Sequence, residues 1–292
     1  AINRRQFAID VAHFKWPTEY RYPDITYKHG ISFKCGDLTF NLHHARGETD
    51  DHTWIHVPEE KLIAPGDLFI WAVPNGGNPQ KVQRYISDWA DALDEMLKLD
   101  CEIFLPGHGF PILGKKRIEK ALETTSKFLR SIEDQTLKLM NQGKSLNQVL
   151  HEVKIPNDLM ELPWLTPIYD DPQFLIRMVW RRYGGWWDGE YDRLLPAPRK
   201  DEALAWVELS NGIENIILKA LENLDKGNFK VAAQLIETAF HADNDNEQMH
   251  DARAKIYREF SLKQSSSMGR NILNHASMAS AQGKRDLAQT ED

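Results

Sequence analysis

Cysteine is scarce in this chain: Cys35 and Cys101 are the only two in 292 residues. Two thiols with no Cys-x-x-Cys spacing exclude a disulfide scaffold and a thiolate zinc site, and they point to a reducing compartment. Long hydrophobic runs are missing as well. No stretch approaches the roughly 18 apolar residues of a membrane span. No apolar core of a secretory signal follows the opening Ala1-Ile2-Asn3-Arg4-Arg5-Gln6, so an intracellular protein is expected. Positive charge is in deficit. Lys and Arg number 36 against 43 Asp and Glu, a formal charge of −7, which argues against a protein that neutralises many nucleic-acid phosphates.

What is present fits a folded protein: 41% hydrophobic and 27% charged residues, with length for about two domains. The first 110 residues read as strands and loops around one helix. Ile31–Cys35 and Leu38–Leu42 alternate apolar and polar residues about Gly36-Asp37, a hairpin signal. Thr53–Val57 and Leu68–Val73 are further short apolar runs. Pro79 at a helix start, followed by Val82, Tyr85, Ile86, Trp89, Leu93 and Met96, predicts a helix. Glu102–Leu105 then runs as a strand into Pro106-Gly107-His108-Gly109, an α/β sandwich pattern. After Gly114 strands give way to helices: a long amphipathic one over 115–142, shorter ones over 145–153 and 172–183, and a series from Glu202 to about Glu259. Within that series Ala220–Asn228 and Ala232–Ala239 read as one antiparallel pair. Met268, Ile272, Leu273 and Met278 are expected contacts of a last helix, ahead of a loose end. Nine tryptophans are the compositional oddity. Trp164, Trp180, Trp186, Trp187 and Trp206 crowd one stretch, which suits a domain junction or a subunit contact.

Three segments place a metal-capable side chain at a strand end: Arg46-Gly47-Glu48-Thr49-Asp50-Asp51-His52, Pro65-Gly66-Asp67 and Leu105-Pro106-Gly107-His108-Gly109. Carboxylate and imidazole ligands delivered from separate strands are what a hydrolytic metal site needs, and two metals could activate a bridging hydroxide. Any one such segment is more often a turn; their order and context together carry the argument.

That combination resembles the metallo-β-lactamase superfamily, and more closely its alkylsulfatase-type branch with a dimerisation domain. The matching text includes Gly47–Trp54, Gly66–Trp71, Asn78–Tyr85, Leu105–Gly109 and Tyr183–Gly189, and it spans about residues 15–260. The resemblance implies an α/β fold: the second half of an αββα sandwich over residues 1–113, then an all-helical dimerisation domain over 114–262 and a tail over 263–292. It implies Glu48, Asp67 and His108 as metal ligands of a dinuclear zinc site, with Glu48 standing where most of the superfamily has His. It also implies a homodimer. His52 would support the site or face substrate. Arg46 or Arg84 would neutralise an anionic head group, with Arg84, read as helical, expected on a solvated surface instead.

The superfamily's first signature, His-x-His-x-Asp-His, is nowhere in these residues. The expectation is that an N-terminal half, in the same polypeptide or a separate chain, completes the sandwich, because a half-sandwich exposes apolar sheet surface. Two functions follow. One is metal-dependent hydrolysis of sulfate or related esters once the half is supplied. The other is a non-catalytic scaffold subunit that keeps the fold without the chemistry.

Overall fold

The computed structural model describes residues 18–287; the opening hexapeptide and the last five residues of the tail lie outside the described residues. The described chain divides into two units, one ending at Glu190 and one beginning at Tyr191.

The first unit is built on a six-stranded sheet in sequential order. Its strands are β1 (Gly30–Cys35), β2 (Leu38–Ala45), β3 (His52–Val57), β4 (Leu62–Ile70), β5 (Ile103–His108) and β6 (Ile112–Leu113). The first four form an antiparallel meander, β4 pairs parallel with β5, and β6 returns antiparallel. The Gly36-Asp37 hairpin forms as its sequence signal requires. Pro65-Gly66 does not end a strand. It lies inside β4, and register shifts flank Gly66 in the pairing with β5, the local disruption expected where a proline removes a ladder donor.

The connection from β4 to β5 is helix α1 (Ile86–Met96). Ile86, Trp89, Ala90, Leu93 and Met96 recur at helical spacing and are all buried. Each large side chain so buried contributes roughly 2 kcal/mol, and the Trp89 indole also donates to the Leu68 carbonyl at 2.7 Å. The helix begins later than Pro79 because the preceding backbone is committed elsewhere. Tyr85 N–H bonds Gly47 O at 3.2 Å, and the Gln83 side chain donates to the Arg84 and Met178 carbonyls.

Four more helices complete this unit: α2 (Lys115–Asn141), α3 (Leu146–Glu152), α4 (Asn157–Met160) and α5 (Pro172–Gly184). Ser145 and Gln148 form a full capping box at the start of α3. Phe128, Leu129 and Ile132 of α2 and Leu175, Val179 and Trp180 of α5 join Trp54, Ile63 and Phe104 of the sheet in one core. The change of texture at Gly114 therefore marks a switch from strand to helix inside one packed unit. The compact units separate after Glu190. Trp164 and Trp180 serve this core. The Trp164 indole bonds Thr124 at 3.1 Å and the Trp180 indole bonds the Trp187 carbonyl at 2.8 Å, whereas Trp186 is exposed.

The two sheet faces differ. Trp54, Ile63 and Phe104 point into the core, and strand alternation with the pairing register puts Phe33, Phe40, Ile55, Leu62, Ile103 and Leu105 on the other face. Phe33, Leu105 and Leu113 of that face are exposed.

The second unit is helical: α6 (Arg199–Leu209), α7 (Ile213–Asp225), α8 (Phe229–Ala242), α9 (Glu247–Leu262) and α10 (Ser267–Ser280). The expected antiparallel pair is α7 and α8, turning at Gly227. Ile216, Ile217, Ala220, Ala232, Ile236 and Ala239 lie in its core, where alanines let the backbones approach closely. Arg253 of α9 is buried. It bonds Glu237 at 2.6 Å and Ser280 at 2.7 Å, and lies 4.5 Å over the Phe240 ring. Of the expected last-helix contacts, Met268 is buried and Met278 is exposed.

Candidate metal centre

Glu48 follows β2, Asp67 lies in β4 and His108 ends β5, so the parallel pairing of β4 with β5 and the short β2–β3 turn bring three distant segments to one region. His108 Nδ1 lies 2.7 Å from Asp67 Oδ1. Glu48 lies close enough to Asp67 for the second carboxylate to act on its proton affinity. The three side chains expected as ligands therefore lie in one line. Gly107 permits it: a Cβ there would lie 2.2 Å from Asp67 Oδ1.

Glu48 is the buried end of the line, with a side chain 17% exposed. Burial raises its carboxyl pKa, the neighbouring Asp67 carboxylate adds to that, and Arg84 acts the other way. Arg84 corrects the surface expectation. Its side chain is only 5% exposed, and it bonds Glu48 Oε1 at 2.9 Å and the Asn75 carbonyl. Asn75 Nδ2 also donates to Glu48 Oε1, at 2.5 Å. Arg84 precedes α1, so its direction is set by the loop and not by a helix face. At the solvent side, His108 is 72% exposed, and an imidazole held through Nδ1 offers Nε2 to a further partner.

The other two expected site residues are engaged elsewhere. His52 Nε2 is taken by the Pro65 carbonyl at 2.8 Å. Arg46 pairs with Asp88 at 2.7 Å and stacks 4.6 Å over Tyr85, with Arg182 5.1 Å from the same ring. Among the described residues no group of three or more His, Cys, Asp or Glu side chains is arranged to hold a metal ion.

Behind the line stands a buried polar layer that periodicity could not reveal. Asp170 is fully buried and accepts from Gly77 N–H at 2.8 Å and from Asp171 N–H at 3.0 Å. Burial pushes its pKa up to about 7, against the pull of those two bonds and of Arg84. The run Pro74-Asn75-Gly76-Gly77-Asn78-Pro79 reads as a turn in sequence, and only its tertiary partners distinguish it.

A carboxylate–histidine line at the ends of a mixed sheet, joined in sequence to an all-helical unit, is similar to the alkylsulfatase branch of the metallo-β-lactamase superfamily, and the comparisons support that likeness. Residues 145–283 match the alkyl sulfatase dimerisation family. The chain is 24% identical over 239 residues to a linear primary-alkylsulfatase of Pseudomonas sp. (strain ATCC 19151), covering 81% of this chain and 45% of that protein. It is 27% identical over 183 residues to an alkyl/aryl-sulfatase of Saccharomyces cerevisiae, covering 62% and 28%. The solved structure of a stereoselective inverting sec-alkylsulfatase from Pseudomonas sp. shares the fold, with a TM-score of 0.84 and 22% identity over 90% of this chain and 42% of that one. The chain thus spans less than half the length of these relatives. No described helix is long and apolar enough to cross a membrane.

Proposed function

We propose that this chain is part of a metal-dependent hydrolase acting on sulfate esters with an alkyl group. The observation that carries the reading is the Glu48–Asp67–His108 line, set in a chain whose relatives are named alkylsulfatases. The donor chemistry fits a hard or borderline divalent ion, with zinc the metal implied by resemblance. The donor number does not suffice, since two ions need more ligands than these three. A segment carrying His-x-His-x-Asp-His would supply the rest, and the exposed apolar sheet face with Phe33, Leu105 and Leu113 supports such a partner. When bound, a metal pair would supply an activated water for attack on the ester.

The chain's own residues would hold that site in shape. Arg84 and Asn75 fix the Glu48 carboxylate, and Asp67 fixes the His108 ring. Arg46, with its side chain 46% exposed, retains donors for an anionic head group. The helical unit would bring two copies together, and the two free cysteines fit an intracellular setting.

In the full-length protein we expect about two metal equivalents per chain, and His108→Ala is expected to lower both metal content and turnover. Unchanged metal content in that variant would remove His108 from the site. The scaffold reading has its own support, since Glu48 already has partners in Arg84 and Asn75. An intact His-x-His-x-Asp-His in the completing segment favours the enzyme, and a degraded one favours the scaffold.

A further inference from the structure

The sheet unit contains a cleft of about 540 Å³ between β1–β3 and the C-terminal end of α1, a volume typical of small-molecule sites. It shares no residue with the Glu48–Asp67–His108 line. Two aromatic rings in it, His43 and Trp54, stack with centroids 4.0 Å apart and an interplanar angle of 11°. Nε2 of His43 and Nε1 of Trp54 are both buried with no hydrogen-bond partner among the described residues, and Trp54 is only 2% exposed. Leaving a buried polar group unpaired is unfavourable. Two such atoms on stacked rings that line one cleft point to a ligand group that satisfies both.

The chemistry of that group follows from the two nitrogens. An indole N–H only donates. Burial holds the His43 pKa below its usual value, with Glu95 opposing, and a neutral imidazole presents one nitrogen as an acceptor. A hydroxyl answers both, accepting from one ring and donating to the other; an ether oxygen can only accept, and a carboxylate cannot donate. Glu95 and Lys98 line the cleft with opposite charges, so neither sign of ion is preferred. Leu99 and the indole provide apolar wall.

We propose that this cleft binds an alcohol bearing a short apolar chain, its hydroxyl accepting from Trp54 Nε1–H and donating to His43 Nε2. The test is calorimetric titration of the chain with 1-hexanol, 1-methoxypentane and hexanoate, with the Trp54 indole N–H followed by NMR. Hexanol is expected to saturate and to shift the Trp54 signal, with the ether about tenfold weaker, the worth of one neutral hydrogen bond. His43→Phe, which keeps the ring stack, should bind alcohol and ether alike. Ether binding as tight as alcohol, tighter binding of hexanoate, or no saturable binding at all would overturn the proposal. If His43→Phe does not fold, the comparison of alcohol with ether on the unmodified chain decides alone. No sulfate ester enters the experiment, so its outcome is independent of the hydrolase reading.

Discussion

Arg84 shows how much one side chain can be misjudged from spacing. Placed on a helix face, it would be a solvated cation; placed in the loop before α1, it is buried against Glu48. Removing one partner of a buried pair strands the other charge, so Arg84→Met is expected to cost about 3–5 kcal/mol, read from the urea midpoint. Adding Glu48→Leu should recover much of that loss. Asp170 makes a second prediction. Its carboxyl pKa is raised to about 7 in the folded chain from an ordinary 3.8, so the folded state holds the proton more tightly than the unfolded one. Its stabilising share is therefore complete below about pH 4 and is lost as pH rises through about 7, a change of roughly 4 kcal/mol. Thermal unfolding across that window should show the decline, and Asp170→Asn should flatten it.

At the scale of elements, the loop between β4 and α1 is the piece that ties the candidate site to the helices behind it. Gly77 sits so close to the start of α5 that a Cβ there would lie 2.2 Å from the Phe174 carbonyl carbon and 2.3 Å from Leu175 N. Both are backbone atoms that cannot swing aside. Gly77→Ala is expected to destabilise the chain by about 3 kcal/mol and to loosen the Asp170 bond to this loop, measurable as faster amide exchange at Gly77 and its neighbours. The helices themselves were readable: α2 over Lys115–Asn141 and α5 over Pro172–Gly184 lie within a residue or two of what their apolar spacing predicts. The start of α1 was not, because local spacing carries no information about hydrogen bonds to Gly47 or Met178.

For the whole molecule, association is the property to test. The helical unit leaves Tyr191, Leu195, Leu204, Trp206 and Leu209 exposed, more apolar surface than a lone helical unit needs. If two copies meet there, Trp206→Glu with Leu209→Glu should convert a dimer to a monomer in sedimentation velocity while leaving the helical signal in circular dichroism unchanged. A dimer that persists would move the interface to another face.

The hairpin, the long helices and the antiparallel pair in the helical unit were determined by sequence alone, and so was the choice of the three segments that carry Glu48, Asp67 and His108. Each depends on local periodicity or turn chemistry, and those act over a few residues. What tertiary structure decided is of longer range. It brought Glu48, Asp67 and His108 together, drew Arg84 and Asp170 inside, and committed His52 to Pro65 and Arg46 to Asp88. The physical reason is that buried polar groups must find partners wherever the packed chain supplies them, and that choice is made by contacts between segments far apart in sequence.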